Sequence, residues 1–374
     1  CEVFQPGGLY YGLNAQTKHI ILADRKTLKC PNGIVLGTPG SGKSFFAKRE
    51  MTNAFFATRD HILILDPENE YTALTEQLHG QTIYLAPDSH SYLNPMDLDL
   101  STDVGESPML MQADFLLSQC ELMMASYGNP LMPIEKSLID RCISLVYRDY
   151  LKNPKPENMP ILGDLYQCLR EQHNSRADDL ATAMEIYVTG SLSYLNHRTN
   201  VDLNNRMVCY NTSKLGQGLK KLVMSNVQKH IWQRTAVNRY AGITTRIFLD
   251  EFHLLLKEPQ TAAYTAEIYK RFRKWNGIPT SLTQNVKDLL DSSEIENILE
   301  NSDFVLMLNQ GASDRNILAQ RLGISPQELN HVTNSGEGEG LLFFGDKIIP
   351  FEDKFPRDTQ LYRVMTTKPS DLAA

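Results

Sequence analysis

Residues 37–44 read GTPGSGKS, in which a glycine is followed after four residues by glycine, lysine and serine. Glycines at these positions let backbone N–H groups turn toward an anion, and a helix that starts directly after them adds its positive end. In this pattern Lys43 reaches the terminal phosphates of a nucleotide, and the Ser44 hydroxyl holds Mg²⁺. The stretch predicts a nucleotide site with these binding residues: Gly37, Thr38, Pro39, Gly40, Ser41, Gly42, Lys43, Ser44 and Phe45.

The neighbouring sequence supplies the structural context that this motif requires. Residues 32–37, NGIVLG, form an apolar run typical of a strand that leads directly into the loop. Residues 44–58 carry aromatic and Met side chains at roughly helical spacing. A strand before the motif and a helix after it distinguish a phosphate-binding loop from a chance glycine turn.

A second candidate lies in residues 247–251, IFLDE, where an apolar strand ends in two carboxylates. At the tip of a strand beside the phosphate loop, Asp250 is placed to hold Mg²⁺. Glu251 can act as the general base that activates a water molecule. An acidic residue favoured by a helix dipole is the alternative. The adjacent pair also disfavours small-molecule kinases, whose phosphate acceptor is not water.

The next strand, residues 280–284 (TSLTQ), ends in a polar amide. Gln284 at that tip is predicted to face the terminal phosphate and to detect its loss. The alternative is an amide that caps a turn. Together with the two preceding motifs, the position favours the phosphate-sensing role.

Two charged segments remain open to more than one interpretation. Residues 269–274, YKRFRK, lie on the helix between the last two strands and concentrate positive charge in an acidic chain. They provide either an arginine finger for a neighbouring subunit or a solvated helix face. Asp66 and Glu70, in LDPENEY, either contact the nucleotide region or cap a helix.

The pattern of elements predicts an α/β protein with a helical interruption. Residues 1–95 and 206–374 alternate short apolar strands with helices, which implies βαβ units and a mostly parallel sheet. Residues 96–205 contain helical stretches at 109–127, 134–151, 161–172 and 177–195, separated by proline-rich breaks. The expected organisation is one α/β domain in two parts, 1–95 and 206–374, with an all-helical insertion at 96–205.

Composition limits the class of protein further. The chain has 374 residues and a net charge of −7, so an extensive DNA-coating surface is not expected. Six cysteines without a CxxC pair indicate reduced thiols in the cytosol, and no His–Cys spacing suggests zinc. No apolar run approaches the roughly 20 residues that cross a bilayer. The chain starts with Cys1 rather than Met, which we interpret as a fragment or a processed form.

The order of motifs resembles one family. GTPGSGKS, LDPENEY, a helical insertion, IFLDEFH, KRFRKWNGIPTSLTQN, NQGASDRNILA and GEGEGLLFFGD follow one another as in the VirB/TrbE/TraC-type ATPases of type IV secretion systems, the fourth VirB component. That group belongs to the HerA/FtsK superfamily of RecA-like motors. The resemblance covers essentially the whole chain and corresponds to the family's C-terminal ATPase portion, without its N-terminal domain.

The resemblance implies a RecA-like P-loop core, ATP and Mg²⁺ as cofactors, and hydrolysis by a hexamer. It makes Lys43, Glu251, Gln284 and Arg273 the catalytic set and Ser44 and Asp250 the metal ligands. Arg271 is the fallback for the finger, and Arg315 is a second phosphate-facing candidate. The implied partners are further copies of the chain and other secretion components, at the cytoplasmic face of the inner membrane without a transmembrane segment of its own. Turnover is expected to be weak in an isolated monomer.

Two alternatives share these motifs. A DNA-pumping translocase of the HerA/FtsK kind would use the same catalytic residues and would bind DNA directly. A scaffold in which the nucleotide only gates subunit contacts would need neither Glu251 nor Gln284. The sequence leaves the secretion machine, the cargo and the role of the helical insertion open.

Overall fold

A computed structural model describes residues 3–100, 107–124, 130–256, 259–284, 298–333, 335–368 and 371 of the chain. The strands are β1 (Leu9–Asn14), β2 (Ile20–Ala23), β3 (Gly33–Leu36), β4 (His61–Asp66), β5 (Gln81–Tyr84), β6 (Met207–Asn211), β7 (Thr245–Leu249), β8 (Gly277–Thr283), β9 (Phe304–Met307), β10 (Glu339–Phe344) and β11 (Lys347–Glu352). The α-helices are α1 (Lys43–Ala57), α2 (Thr72–Gln77), α3 (Pro108–Met124), α4 (Pro133–Val146), α5 (Arg148–Lys152), α6 (Leu162–Arg170), α7 (Ser175–Val188), α8 (Gln217–Tyr240), α9 (Pro259–Phe272), α10 (Ala312–Leu322), α11 (Pro326–Leu329) and α12 (Gln360–Met365).

These strands form one sheet in the order β2-β1-β11-β10-β9-β3-β8-β7-β4-β6-β5. Parallel pairing runs from β9 through β3, β8, β7 and β4 to β6. The strands from β9 through β10, β11 and β1 to β2 pair antiparallel. The predicted α/β class with a mostly parallel sheet is therefore confirmed, and the antiparallel extension is built from both ends of the described chain.

The central strands owe their position to uninterrupted apolar character. Every residue of β3, β7 and β8 is buried, as expected for parallel strands that are covered on both faces. Helix α1 contributes Phe46, Met51 and Ala54 to the core on one side of this layer. The two-residue connection between β10 and β11 contains Gly345 at a φ of 61°, a conformation that glycine adopts without strain.

A group of buried charges lies near the amino ends of the parallel strands. Glu50 on α1 accepts hydrogen bonds from Arg25 at 3.0 Å and from Arg246 at 2.8 Å, and all three side chains are at most 2% exposed. Arg246 also donates from Nε to Asp60 at 2.9 Å. Because each buried charge has a partner of opposite sign, the group fixes α1 against the sheet without leaving an uncompensated ion.

The chain divides into two compact units. The first contains Cys1–Thr82, Asn204–Asn211 and Asn238–Ala374, and the second contains Ile83–Leu203 and Thr212–Val237. Helices α3 to α7 fall in the second unit, which also takes most of α8. The sequence-predicted division at 95 and 205 stays a prediction.

Several elements differ from the sequence prediction. Strand β1 and helix α2 were not predicted. Helix α9 ends at Phe272, so Arg273 lies on a following single turn of 3₁₀-helix, Arg273–Trp275, rather than on the helix itself. The predicted helix at 109–127 is observed to Met124, and its last residues lie outside the described ranges.

Candidate nucleotide site

Four parallel strands end at the same edge of the sheet and bring the predicted site residues together. Gly37 follows β3, Gln284 follows β8, Asp250 follows β7, and Asp66 closes β4. Because parallel strands direct their carboxyl ends to one edge, residues far apart in sequence meet there. A cavity of about 170 Å³ results, here called the phosphate pocket. Its lining comprises Pro39, Gly40, Gly42, Lys43, Ser44, Phe45, Glu70, Asp250, Glu251, Gln284, Glu337, Thr366, Thr367 and Lys368.

The phosphate loop depends on its glycines. Gly40 and Gly42 have φ values of 75° and 103°, which side chains other than hydrogen rarely permit. A Cβ atom on Gly37 would lie 2.4 Å from the Ser41 hydroxyl. Gly42 caps the amino end of α1, so the unpaired N–H groups of the first helical turn face the pocket. The loop is thus shaped to receive an anion.

Lys43 is turned back onto this loop. Its Nζ donates to the carbonyl oxygens of Gly37 at 2.8 Å and Thr38 at 3.2 Å. Burial lowers the pKa of this ammonium group, and the nearby Glu251 and Asp250 carboxylates oppose that change. An incoming phosphate would offer Lys43 an anionic partner in place of two neutral carbonyls, so the lysine is held close to the position where it is needed.

Glu251 occupies an unusual backbone conformation. Its φ of 43° lies in the left-handed region, which costs free energy for a residue with a side chain. Gln284 Nε2 donates to Glu251 Oε1 at 2.5 Å, and His253 Nδ1 lies 3.2 Å from Oε2. Strand β8 and the turn after β7 therefore hold the carboxylate at the pocket wall, where a general base for water would act.

Asp250 and Glu70 add negative charge to the same pocket. Burial, followed by the charge of Glu70, raises the pKa of Asp250 to about 8. Glu70 lines the pocket, and its Oε2 is buried with no hydrogen-bond partner among the residues that the structure describes. A cation bound beside these carboxylates would relieve their mutual repulsion.

Asp66, by contrast, has a structural role. Its two carboxylate oxygens accept hydrogen bonds from the backbone N–H groups of Glu70 and Tyr71, both at 2.9 Å. The loop 67–71 is thereby folded so that Glu70 reaches the pocket. This separates the two acidic residues that the sequence could not distinguish, because Asp66 shapes the loop and Glu70 faces the site.

The donor set fits Mg²⁺. This ion prefers oxygen ligands, keeps several waters and usually takes only one or two carboxylates beside the phosphates. The hydroxyl of Ser44 and the carboxylate of Asp250 line one pocket, as that coordination requires. Within the described ranges no group of three or more His, Cys, Asp or Glu side chains is arranged to hold a metal ion by itself.

The predicted arginines do not line this pocket. Arg273 is exposed at the start of β8, where its guanidinium donates to the Cys30 sulfur at 3.2 Å. Arg271 pairs with Glu267 on α9 at 3.1 Å. Arg315 lies near the start of α10. The structure thus brings together the loop, Asp250, Glu251 and Gln284, and places Arg273 at the opposite end of β8 from Gln284.

Sequence reasoning missed two charged residues at the pocket. Glu337 belongs to the GEGEG segment, residues 336–340, to which the sequence analysis assigned no contact with the nucleotide. Its carboxylate accepts a hydrogen bond from Lys368, and both residues line the pocket. The Gly338 N–H donates to the Ser41 carbonyl at 3.1 Å. The glycines on either side of Glu337 were the available signal that this segment approaches other backbone closely. Nothing in the local sequence marks Lys368 as a residue of the site.

The sheet and its phosphate loop define a P-loop NTPase with a RecA-like fold. The chain belongs to the family of the TraG P-loop domain, whose profile matches residues 20–336. The resemblance to type IV secretion ATPases indicated by the motifs is confirmed by this match together with the structural similarity that follows.

Solved structures share this fold. The structure of VirB4 of Thermoanaerobacter pseudethanolicus superposes with a TM-score of 0.84 at 22% identity, covering 100% of both chains. The plasmid coupling protein TrwB in complex with ADP and Mg²⁺ gives a TM-score of 0.60 at 12% identity, covering 94% of this chain and 92% of that one. Curated proteins gave no significant match. Among the described helices, none is both long enough and apolar enough to cross a membrane.

Proposed function

We propose that this chain hydrolyses ATP as the motor of a type IV secretion or conjugation system, and that hydrolysis powers pilus assembly and the transfer of DNA or protein. The observation that carries the proposal is the meeting of Lys43, Asp250, Glu251 and Gln284 in one pocket at the strand ends. A nucleotide-gated scaffold would need the first two residues but has no use for a positioned base and its amide partner.

Each of these pocket residues has its own role in the proposed hydrolysis. The backbone N–H groups of residues 40–44 and the Lys43 ammonium group bind the phosphates and stabilise the charge that develops on them. The oxygen of the attacking water bonds to the γ-phosphorus while Glu251 accepts a proton from that water. The bond between the γ-phosphorus and the oxygen that bridges it to the β-phosphate breaks, and ADP leaves. Gln284 orients the Glu251 carboxylate. Its own hydrogen bonds change as the γ-phosphate leaves, so it detects the loss of that phosphate.

Ser44 and Asp250 would hold Mg²⁺, which neutralises charge on the phosphate oxygens when it is bound. TrwB, which shares the fold, has been solved with ADP and Mg²⁺. Glu70 is our addition to this part of the site, since its carboxylate lies close enough to Asp250 to influence its ionisation.

The assembled form is proposed to be a hexamer at the cytoplasmic face of the inner membrane, in contact with other secretion components. Arg273 fits this arrangement because it is exposed and precedes β8, at the end of that strand opposite Gln284. In a ring, it would complete the site of a neighbouring subunit. An isolated monomer should then bind the nucleotide but turn it over slowly.

The test is the ATPase rate as a function of protein concentration, with and without single- and double-stranded DNA, together with the mass from light scattering. A rate per chain that rises with concentration in the absence of DNA supports the proposal. A rate that rises only with DNA favours a DNA-pumping translocase, and this stimulation should fall steeply with salt. Bound nucleotide without turnover in a proven hexamer would favour the scaffold.

A further inference from the structure

A second lysine reaches the phosphate pocket from the far end of the described chain. Thr366, Thr367 and Lys368 follow helix α12 and line the pocket together with Lys43. Lys43 belongs to the phosphate loop, whereas the proposed hydrolysis assigns no role to Lys368. The ammonium group of Lys368 is therefore a cation at a phosphate site for which the loop does not account.

The backbone around Lys368 is fixed at the pocket wall. Lys48, which is 1% exposed, donates from Nζ to the carbonyl oxygen of Met365 at 3.0 Å and so joins the end of α12 to α1. Lys368 donates its own N–H to the Thr366 hydroxyl at 3.2 Å, and its carbonyl oxygen accepts a hydrogen bond from the N–H of Asp371 at 3.1 Å. The Lys368 side chain is 39% exposed. The residue thus combines a fixed backbone with a side chain that has room to move.

The partner of Lys368 in this structure is the carboxylate of Glu337. The two side chains are hydrogen-bonded, and they are 39% and 34% exposed. Ion pairs as exposed as this one contribute little to stability, so an exchange of partner costs little. Such an exchange would not leave Glu337 without a cation, because Arg357 lies 4.0 Å from the same carboxylate oxygen. Lys368 can therefore leave Glu337 for a stronger anion.

The charges of the lining favour this movement when an anion enters. The ionisable side chains in the described lining of the pocket are two lysines and four carboxylic acids, namely Lys43, Lys368, Glu70, Asp250, Glu251 and Glu337. A polyphosphate brings further negative charge into a pocket where acidic groups already outnumber the lysines. Mg²⁺ would offset part of this charge, and a mobile ammonium group can offset more of it through a hydrogen bond to a phosphate oxygen.

The position of Glu337 indicates which phosphates Lys368 can reach. The Cγ atom of Glu337 lies 3.5 Å from the point that a Cβ atom on Gly42 would occupy. Glu337 thus lies against the phosphate loop, whose backbone holds the α- and β-phosphates in sites of this kind. The γ-phosphate is proposed to lie beside Glu251 and Gln284 instead. We therefore expect Lys368 to meet the part of the nucleotide that ATP and ADP have in common.

We propose that Lys368 binds the α- or β-phosphate of the nucleotide, and that Glu337 holds the Lys368 ammonium group beside the pocket while the nucleotide is absent. Lys368 is then a binding residue for ADP as well as for ATP, and Glu337 competes with the nucleotide for it. The inference rests on the proposed nucleotide-binding function and adds to it a phosphate ligand from outside the phosphate loop.

The experiment measures dissociation constants of the full chain for MgATP and MgADP. Lys368→Gln removes the ammonium group and keeps a polar side chain. Lys18→Gln is the matched control, since Lys18 is 61% exposed, contacts Glu352 at 2.7 Å and lies outside the lining of the phosphate pocket. Glu337→Gln removes the competing carboxylate. The double variant of Lys368 and Glu337 tests whether the two effects depend on each other.

We expect Lys368→Gln to weaken the binding of MgATP and MgADP by the same factor, on the order of tenfold, as for one lost charge-assisted hydrogen bond. Lys18→Gln should leave both affinities unchanged. Glu337→Gln should strengthen both, because Lys368 no longer has to leave a carboxylate. This gain should be smaller in the double variant, where no ammonium group remains to be released.

Unchanged affinities in Lys368→Gln, or a loss no larger than that in Lys18→Gln, would overturn the proposal. A loss confined to MgATP would overturn the assignment to the α- or β-phosphate. An equal gain from Glu337→Gln with and without Lys368 would show that the carboxylate acts by repulsion alone, and would overturn its role as a competitor.

The midpoint of unfolding, measured for each variant, shows whether the fold is retained. If Lys368→Gln unfolds more readily than the wild type, the sign of the change in Glu337→Gln decides. Both variants break the same ion pair, so a structural role of the pair predicts weaker binding in each, whereas release of Lys368 predicts stronger binding in Glu337→Gln. Failure of the wild type to bind either nucleotide would instead overturn the proposed nucleotide-binding function itself.

Discussion

Gln284 donates a hydrogen bond from Nε2 to Oε1 of Glu251 at 2.5 Å, and so joins the end of β8 to the turn after β7. The two residues are 33 positions apart in sequence and are neighbours because β7 and β8 pair in parallel. In this structure the amide therefore occupies one oxygen of the carboxylate that we propose as the base. A γ-phosphate and its attacking water would compete for both groups.

Glu251→Gln tests the role of the carboxylate. The substitution keeps the shape of the side chain but removes its basicity, so turnover should fall by about 10²- to 10⁴-fold, the usual contribution of a general base. Nucleotide affinity should change little. The measurement pairs the ATPase rate with a binding titration. Turnover equal to the wild type would remove Glu251 from this role.

Gln284→Ala separates sensing from binding. The phosphate loop and Lys43 are untouched, so MgATP should bind with nearly wild-type affinity. The carboxylate of Glu251 loses its orienting partner, so kcat should fall. We expect the fall to be smaller than in Glu251→Gln, because the base itself remains. A large loss of affinity with unchanged kcat would show that Gln284 serves only to bind the nucleotide.

Arg273 provides a test that uses two inactive variants. Strand β8 has seven residues at about 3.3 Å each, so its two ends lie roughly 20 Å apart. At that distance from Gln284 of its own chain, a finger at Arg273 would have to act on another chain. Arg273→Ala and Glu251→Gln should each be inactive alone, whereas a mixture should recover part of the activity because some interfaces combine an intact Arg273 with an intact Glu251.

Lys274→Ala is the matched control for this experiment, since Lys274 is the exposed neighbour on the same turn. It should keep wild-type turnover. A mixture that stays inactive, under conditions where mixed assemblies are demonstrated by light scattering and cross-linking, would count against a finger at Arg273.

Glu50→Gln should destabilise the chain strongly. The change leaves Arg25 and Arg246 buried with less negative charge beside them, and breaking a buried ion pair in this way costs about 3–5 kcal/mol. Denaturant unfolding measures the loss. Lys18→Gln removes a pair in which the lysine is 61% exposed, so it should change the free energy of unfolding by only about 1 kcal/mol or less. Equal effects of the two variants would refute this account of the buried charges.

The second compact unit should lose stability in acid through His230. Burial, and then the charge of Lys229, lowers the pKa of His230 from 6.5 to about 3 in the folded chain. Below about pH 6.5 the unfolded chain binds a proton that the folded chain does not, so the free energy of unfolding decreases as the pH falls toward 3.

Replacement of His230 by Gln should flatten this dependence by an amount on the order of a few kcal/mol, measured by unfolding at a series of pH values. An identical pH profile in His230→Gln would mean that other groups cause the acid sensitivity.

The sequence predicted the site better than the parts of the fold that surround it. Strongly apolar strands such as β4, and a phosphate loop with fixed spacing, carry local signals that do not depend on distant residues. Strand β1 was missed because its pairing with β2 shifts register between Tyr10 and Gly12, which disrupts the alternation that marks a strand. Helix α2 has six residues, too few to establish a helical period.

Contacts made between distant segments could not be predicted at all. Lys368 reaches Glu337 across 31 positions, and Glu50 meets Arg246 across 196. Neither pair has a spacing that local geometry would reveal. Glu70 was left open for a related reason, because its separation from Asp66 depends on which of the two carboxylates the loop backbone uses for its own hydrogen bonds.

Strand β8 carries Gln284 at one end and follows the turn of Arg273 at the other. Strand β8 is extended and is hydrogen-bonded to β3 on one side and to β7 on the other, so it stretches little along its length. Through the turn Arg273–Trp275, the strand thus connects the amide proposed to contact the γ-phosphate with the arginine proposed to reach the next subunit. In a ring of such chains, a displacement of Gln284 in one subunit would move Arg273 of the same subunit. The state of the nucleotide in one active site would then influence when hydrolysis occurs in the next.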